Sequence, residues 1–269
     1  MNWSALDWGV VGPALVAGLL VLATHVPLGM QVLDRGIVFI DLAIAQIAGL
    51  GVIAADALGI AEHGLAVQAA AVTAALLGAW LLTWTERRAA QQQEALIGVL
   101  FVLAACVSLL LLAGNPHGGE HLKDLLVGQI LWVNTTQLGW LAALSVVLLG
   151  AIAAGWTERL GRFGFYGAFA VAVTASVQLV GVYLVFSSLI VPALATSALP
   201  RGRRLVVAYT IGAAGYALGL ALSALFDLPS GAVIVCALVA CALGWRLLGG
   251  SAKLTPPTSA AGSGAAPRS

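Results

Sequence analysis

Imidazole and carboxylate side chains are the groups in this chain best suited to hold a divalent cation, and they are scarce. There are 4 histidines and 11 acidic residues in 269 positions, so any that falls inside an apolar run stands out. His25 and Asp41 do. An ionisable group inside a membrane span is costly and usually marks function. His25 comes two residues before Pro27, and Asp41 lies about one helical turn into its run. Gln46 lies deeper in the same run. Five residues turn a helix by about 140°, so Asp41 and Gln46 occupy different faces if that helix is regular. Two readings stand for His25 and Asp41. Each is a ligand on an ion path, or each reaches the interface, where Asp41 pairs with Arg35 or caps a neighbouring helix end.

A second group of candidates falls in the breaks between apolar runs. His117-Gly-Gly-Glu-His121 follows Asn115-Pro116, a cap-and-proline pair that can open a helix. On a helix His117 and His121 stack at i and i+4, a spacing that can hold zinc, although two glycines between them weaken the helix. His63 and Glu62 occupy another break. Asp7, Glu62, His63, His117, Glu120, His121, Asp124 and Asp227 map to one side of the chain or its edge, with Asp56 near it. An acidic, imidazole-bearing mouth attracts divalent cations. The same composition also suits a solvated loop surface that merely lacks lysine.

The elements that must position these groups follow from composition. Charged residues are 9% of the chain, hydrophobic residues are 61%, and mean hydropathy is +1.03. A soluble domain carries about a quarter charged residues. The solvent for most of this chain is therefore lipid, and the fold class is all-α: a polytopic integral membrane helical bundle. Each crossing takes about 20 apolar residues, and the chain has room for 8 or 9 of them. A net charge of +1 argues against a nucleic-acid partner. Cys106, Cys236 and Cys241 all lie in apolar stretches at spacings that match no zinc or redox motif, so they read as small buried side chains. The first apolar run lacks the basic flank of a cleavable signal and reads as a retained span. Residues 1–250 form one transmembrane domain on this reading, and 251–269 are a disordered tail rich in Ala, Ser, Gly, Pro and Thr.

Charged and turn-forming breaks place crossings at 9–30, 36–59, 65–85, 95–113, 137–155, 164–180, 182–199, 205–226 and 231–248. The sixth and seventh share one apolar stretch between Arg162 and Arg201. That stretch is too long for a single span, and reads as a tight hairpin turning near Gln178 to Gly181, or as one full span plus a broken or re-entrant helix. With nine crossings, eleven of the 12 basic residues fall on one side and only Lys123 on the other. The positive-inside rule makes that side the cytoplasm, with the N-terminus outside and the C-terminus inside.

Five segments, in order, carry a family resemblance. Val26-Pro27-Leu28-Gly29, then R-G-I-V-F-I-D-L-A-I-A-Q-I-A-G-L-G from Arg35 to Gly51, is similar to a P-L-G stretch and a G-D-x-L-x-H-A-x-L-x-G helix. Glu94-Ala-Leu-Ile-Gly98 is similar to a D-T-x-x-G opening, and Asp124-Leu-Leu-Val-Gly-Gln-Ile-Leu131 to an L-F-G-D-L-L segment. Gln178 to Thr196, Q-L-V-G-V-Y-L-V-F-S-S-L-I-V-P-A-L-A-T, resembles V-V-G-x-L-L-x-x-A-L-L-I-I-P-A-A-T-A, and Phe226-Asp-Leu-Pro-Ser-Gly231 resembles Y-D-x-P-x-G. The chain thus resembles the permease subunit of bacterial zinc and manganese ABC importers, the ABC-3 type, over most of residues 10–248. The resemblance implies a type II ABC importer permease-like bundle in the bacterial inner membrane. It also implies two copies of this chain forming an alternating-access pore, a cytoplasmic ATP-binding subunit and an extracytoplasmic metal-binding protein. The cargo would be a divalent metal, zinc first, with manganese or iron behind it. The chain has no phosphate-binding loop of its own, so it is not expected to be an enzyme or to carry a cofactor. Asp41, Gln46, His25, His63, His117 and His121 are its candidate metal residues.

One position departs from the pattern. The family carries an Asp and a His at i and i+4 on the second helix. Anchored on Gly51, those places fall to Leu42 and Gln46; anchored on Asp41, the His place falls to Ala45. A neutral amide binds zinc poorly beside imidazole. A metal chelate or other small substrate on the same scaffold is therefore the alternative cargo. A secondary transporter working alone is the alternative class, against which stand the lack of an inverted repeat and the sparsity of buried charge. The segment 156–167, with glycines at 161, 164 and 167, is the candidate ATPase-docking loop.

Overall fold

A computed structural model of the chain describes residues 8–58, 65–88, 90–112 and 126–248. Among these, the regular structure is helical throughout. The helices are α1 (Trp8–Arg35), α2 (Ile40–Ala57), α3 (Leu65–Arg88), α4 (Gln93–Leu112), α5 (Thr135–Ala153), α6 (Trp156–Arg159), α7 (Gly161–Val180), α8 (Val182–Ala195), α9 (Arg201–Phe226) and α10 (Ser230–Leu247). Eight of them are long and apolar enough to cross a membrane, and α8, at 14 residues, is shorter. Lipid leaves backbone polar groups no partner outside the chain, so helices that satisfy their own are the available answer.

Polar contacts show which helix ends lie together. At one end, Arg204 of α9 pairs with Asp34 of α1 at 3.1 Å, and Arg162 of α7 with Glu86 of α3 at 3.2 Å. The Arg35 guanidinium stacks over the Phe165 ring of α7 at 4.1 Å. Glu94 of α4 accepts from the Phe39 amide at the head of α2, 3.3 Å away, and Arg246 of α10 donates to the Leu194 carbonyl of α8 at 2.7 Å. The ends of α1, α3, α8 and α10 therefore meet the starts of α2, α4, α7 and α9, so those helices alternate in direction. Arg35, Arg87, Arg88, Arg159, Arg162, Arg203, Arg204 and Arg246 all belong to this end.

The expected boundary between the sixth and seventh crossings is a single residue. Gly181 ends α7 and begins α8 with φ 81° and ψ 161°, a backbone state open in practice only to glycine. The link is thus an elbow rather than a hairpin with a loop. At 1.5 Å per residue, the 14 residues of α8 rise only ~21 Å, short of a ~30 Å hydrocarbon core. The full crossing expected at 182–199 is corrected accordingly. α8 stops at Ala195, where the Thr196 hydroxyl folds back onto the Pro192 carbonyl at 2.8 Å and a turn to Leu199 follows. This is the broken-helix alternative, with α8 still returning to the arginine end.

Small residues let the helices approach closely. Gly215 and Gly219 of α9 abut Leu238 and Ile234 of α10, Gly51 of α2 abuts Ala70 and Ala74 of α3, and Gly29 of α1 meets the backbone of Leu189 in α8. Without a hydrophobic force between helices in lipid, such contacts carry the packing. The largest fully buried side chains include Tyr166, Tyr216, Phe165 and Phe169, and Tyr216 shares a 2.8 Å hydrogen bond with Ser188.

A candidate substrate cleft at the helix elbow

The segment 126–134 runs between α4 and α5 and is not a span. It turns once at Ile130–Trp132, and Asn134 closes it with a capping box at the start of α5: its side chain accepts from the Gln137 amide at 2.8 Å while Gln137 accepts from the Asn134 amide at 3.0 Å. Its front edge is pressed into the elbow. The Gln129 amide donates to the Leu179 carbonyl at 3.2 Å, and Gly128 and Gly181 lie backbone to backbone, both with positive φ. Gly231 at the head of α10 backs onto the Val127 carbonyl. Three glycines thus seat this segment where a Cβ would collide with backbone.

Beside the elbow lies a small cleft, lined by Ala45, Gln46, Gly49 and Ile53 of α2, Ser108 of α4, Leu126, Val177 of α7 and Val182 of α8. The α2 members follow from helical periodicity, which brings 45, 46, 49 and 53 to one side. The two valines flank Gly181. Ser108 is 2% exposed, and its hydroxyl has no hydrogen-bond partner among the described residues. Nearby, the Gln178 side-chain carbonyl oxygen accepts from Gln68 across α3 and α7, while the Gln178 amide nitrogen has no partner among the described residues.

The candidates read from sequence divide as follows. Gln46 lines the cleft; Asp41 does not. Asp41 sits in the first turn of α2, 1% exposed, with neither carboxylate oxygen hydrogen-bonded among the described residues. The helix is regular, so the angle expected between the two side chains holds. The Arg35 pairing considered for Asp41 is not formed as a hydrogen bond, since that guanidinium stacks on Phe165. His25 is fully buried; its Nδ1 donates to the Val21 carbonyl at 2.9 Å and lies 3.1 Å from the Thr24 hydroxyl. It shares its helix face with Gly18 and Gly29, which abut Tyr216 and Leu189, so it occupies the seam between α1, α8 and α9. His63, His117 and His121 lie outside the described residues, as do Asn115, Pro116 and the chain beyond residue 248. Among the described residues, no three His, Cys, Asp or Glu side chains come together as a metal site.

Ser108, Leu126, Val177 and Val182 were not among the candidates. Val177 and Val182 bracket Gly181, the glycine of the segment Gln178 to Thr196 that resembles the family pattern, a signal that was present. Ser108 is a lone hydroxyl in an apolar run, and a lone hydroxyl gives no sign of whether it faces a cleft or its own helix. The expected docking loop 156–167 is corrected as well. It comprises the short helix α6 and the first turns of α7, so Gly164 and Gly167 are helical, and only Gly161, at φ 60°, supplies a turn.

A bundle of alternating apolar helices with a small cleft bearing two polar side chains beside a broken helix is that of a polytopic membrane protein. The ABC 3 transport family matches residues 8–160 and 150–247, and the chain belongs to that family. It is 26% identical over 252 residues to the manganese transport system membrane protein MntC of Halalkalibacterium halodurans, covering 86% of this chain and 84% of that one. A Synechocystis membrane protein, slr2045, is also 26% identical, over 257 residues, with 86% and 88% covered. Among solved structures, PsaBC from Streptococcus pneumoniae in complex with Fab superposes with a TM-score of 0.71 at 20% identity, covering 87% of this chain and 90% of that one. A chain described as a metal-chelate type ABC transporter, in an inward-facing conformation, gives 0.66 at 15% identity, covering 88% and 84%. The chain is therefore an ABC-3 type permease embedded in the membrane. Permeases of this kind work with an ATP-binding subunit and a substrate-binding protein.

Proposed function

We propose that this chain is the permease subunit of an ATP-driven importer of divalent metal ions in the bacterial inner membrane, with zinc as first cargo and manganese or iron after it. The observation that carries the reading is the cleft at the Gly181 elbow, within a chain of the ABC-3 family. The manganese transport named for MntC supports the metal class. Two copies would form the pore. The arginine-bearing end would face the cytoplasm, as the positive-inside rule requires, with the N-terminus outside and the C-terminus inside. Gln46 would line the ion path. Asp41, buried and without a hydrogen-bond partner among the described residues, at the arginine end of the same helix, is the second candidate ligand.

The ATP-binding subunit would dock on α6 and the start of α7. There Trp156, Leu160 and Phe163 are exposed at 58%, 60% and 53%, interleaved with Arg159 and Arg162. Gly155 and Gly161, both with positive φ, bound the patch and let it turn away from the bundle. Copurification tests this. An ATP-binding subunit should travel with the intact chain and detach when Trp156 and Phe163 are replaced by Asp. A chain that takes up metal with no ATPase attached is a secondary transporter instead.

A second reading, a metal chelate on the same scaffold, is favoured by the cleft's lining, which among the described residues has no acidic or imidazole group.

A further inference from the structure

We propose that α1 hinges at Pro27, with the Tyr209 hydroxyl seated on the hinge, so that residues 28–35 swing with α8 as the partner subunit turns over ATP. The inference deepens the permease reading and rests on it. Proline has no N–H, so inside a helix it leaves the carbonyl four residues earlier without its donor, and its ring crowds that carbonyl. α1 carries Pro27 in its interior and runs on for eight residues to Arg35. The orphaned carbonyl is that of Ala23. Lipid brings no water to it, so another part of the protein must serve it. The Tyr209 hydroxyl of α9 does, donating to the Ala23 carbonyl at 2.8 Å. Proline sites of this kind are where long helices bend.

The contacts of α1 differ on the two sides of Pro27. Before it, α1 interlocks with α9: Gly18 abuts the Tyr216 ring and Leu22 abuts Gly212, so a Cβ at either glycine would collide. Small-residue contacts of this type hold two helices against each other. After it, α1 goes with α7 and α8. Gly29 meets the Leu189 carbonyl of α8 too closely for a Cβ, Leu28 and Val32 are fully buried, and Arg35 stacks over Phe165 of α7. The Asp34–Arg204 pair links this part of α1 to α9, but its carboxylate is half-exposed, and ion pairs open to water hold weakly. Phe165 lies two residues past Phe163 of the proposed docking patch, and Val182 at the other end of α8 lines the cleft. A push on the start of α7 would thus reach α8 and the cleft through residues 28–35. The bond missing at Pro27 lets that segment turn while the first part of α1 stays on α9.

The test uses this chain with its ATP-binding and delivery subunits, in cells lacking their own zinc and manganese importers and as the detergent-purified complex. Pro27→Ala returns an N–H to the Ala23 carbonyl. The variant should keep its membrane abundance, melt no lower than the wild type and go on hydrolysing ATP, while uptake of radioactive zinc and manganese falls about tenfold or more. Tyr209→Phe should lower Tm by several degrees in the wild-type chain and by less than half as much in Pro27→Ala, where the carbonyl has a helical donor again. Val32→Cys, in a chain whose Cys106, Cys236 and Cys241 are replaced by alanine, should react with a water-soluble maleimide faster during ATP turnover than at rest, and Pro27→Ala should remove that acceleration. Normal uptake in Pro27→Ala would overturn the hinge, as would loss of its abundance, since the ring would then serve packing. So would an equal Tm cost of Tyr209→Phe in both backgrounds, or labelling of Val32→Cys that ATP turnover leaves unchanged. A wild-type chain that takes up neither metal fails the cargo reading instead, a distinct result, and melting and labelling then decide the hinge.

Discussion

Replacing Gly181 with alanine tests whether the elbow is held as described. The residue sits at φ 81° and ψ 161°, where an L side chain costs about 1–3 kcal/mol. The added Cβ would also stand 2.4 Å from the Gly128 nitrogen and from the Val127 carbonyl carbon, and 2.8 Å from the Leu126 oxygen. Those are backbone atoms, so either the 126–129 segment or α8 must move, at a cost of about 1–3 kcal/mol by comparison with overpacked cores. The combined loss is about 2–6 kcal/mol. For a chain of this size that lowers Tm by about 10 °C. Thermal unfolding of the detergent-purified protein measures it, with Gly139→Ala as reference, since a Cβ at Gly139 meets nothing within 4 Å. Gly128→Ala, on the other side of the contact, should match Gly181→Ala. A wild-type Tm for Gly181→Ala would refute the account of this junction, and with it the position of Leu126 in the cleft.

Three further outcomes are expected. Cysteine labelling at Asn2 and Thr255 should report opposite sides of the membrane, Asn2 from outside; labelling of both from one side contradicts an odd number of crossings. Bulky residues at Gly161 and Gly164 should leave ATP hydrolysis running while transport falls, because the turn at Gly161 (φ 60°) sets the angle between α6 and α7, whereas tight coupling in that variant would place docking elsewhere. Asp41→Asn should reduce uptake about tenfold, a change of about 1.4 kcal/mol, at unchanged membrane abundance if the carboxylate meets the ion. Normal uptake would remove Asp41 from the path, and a drop in abundance would assign it to assembly.

Much of this architecture was readable from composition, because lipid forces long apolar helices and the breaks between them carry the charges. The expected crossing at 137–155 is helix Thr135–Ala153, and the turn expected near Gln178 to Gly181 falls at Gly181. The shortness of α8 was not readable. Hydropathy continues through Thr196 to Leu199, yet the helix stops at Ala195 and gives way to a turn closed by the Leu199 amide on the Thr196 carbonyl. The seat of 126–134 was also hidden, since it depends on Gly128 meeting Gly181 across more than fifty intervening residues. In the site, the phase of α2 separated Gln46 from Asp41 at once. No local pattern could reveal Ser108, whose significance comes from what α2 and α7 bring beside it. His25 shows the converse: an ionisable group in a span that faces a packed seam rather than the cleft.

The central claim is that this chain moves a divalent metal when its ATP-binding partner hydrolyses ATP. The most direct measurement is uptake of radioactive zinc, manganese and iron by cells lacking other importers, comparing the intact system with one whose ATP-binding subunit binds ATP but cannot hydrolyse it. The account predicts accumulation of at least one of these ions in the first case and background levels in the second. Equal accumulation in both, or accumulation of none, would contradict it.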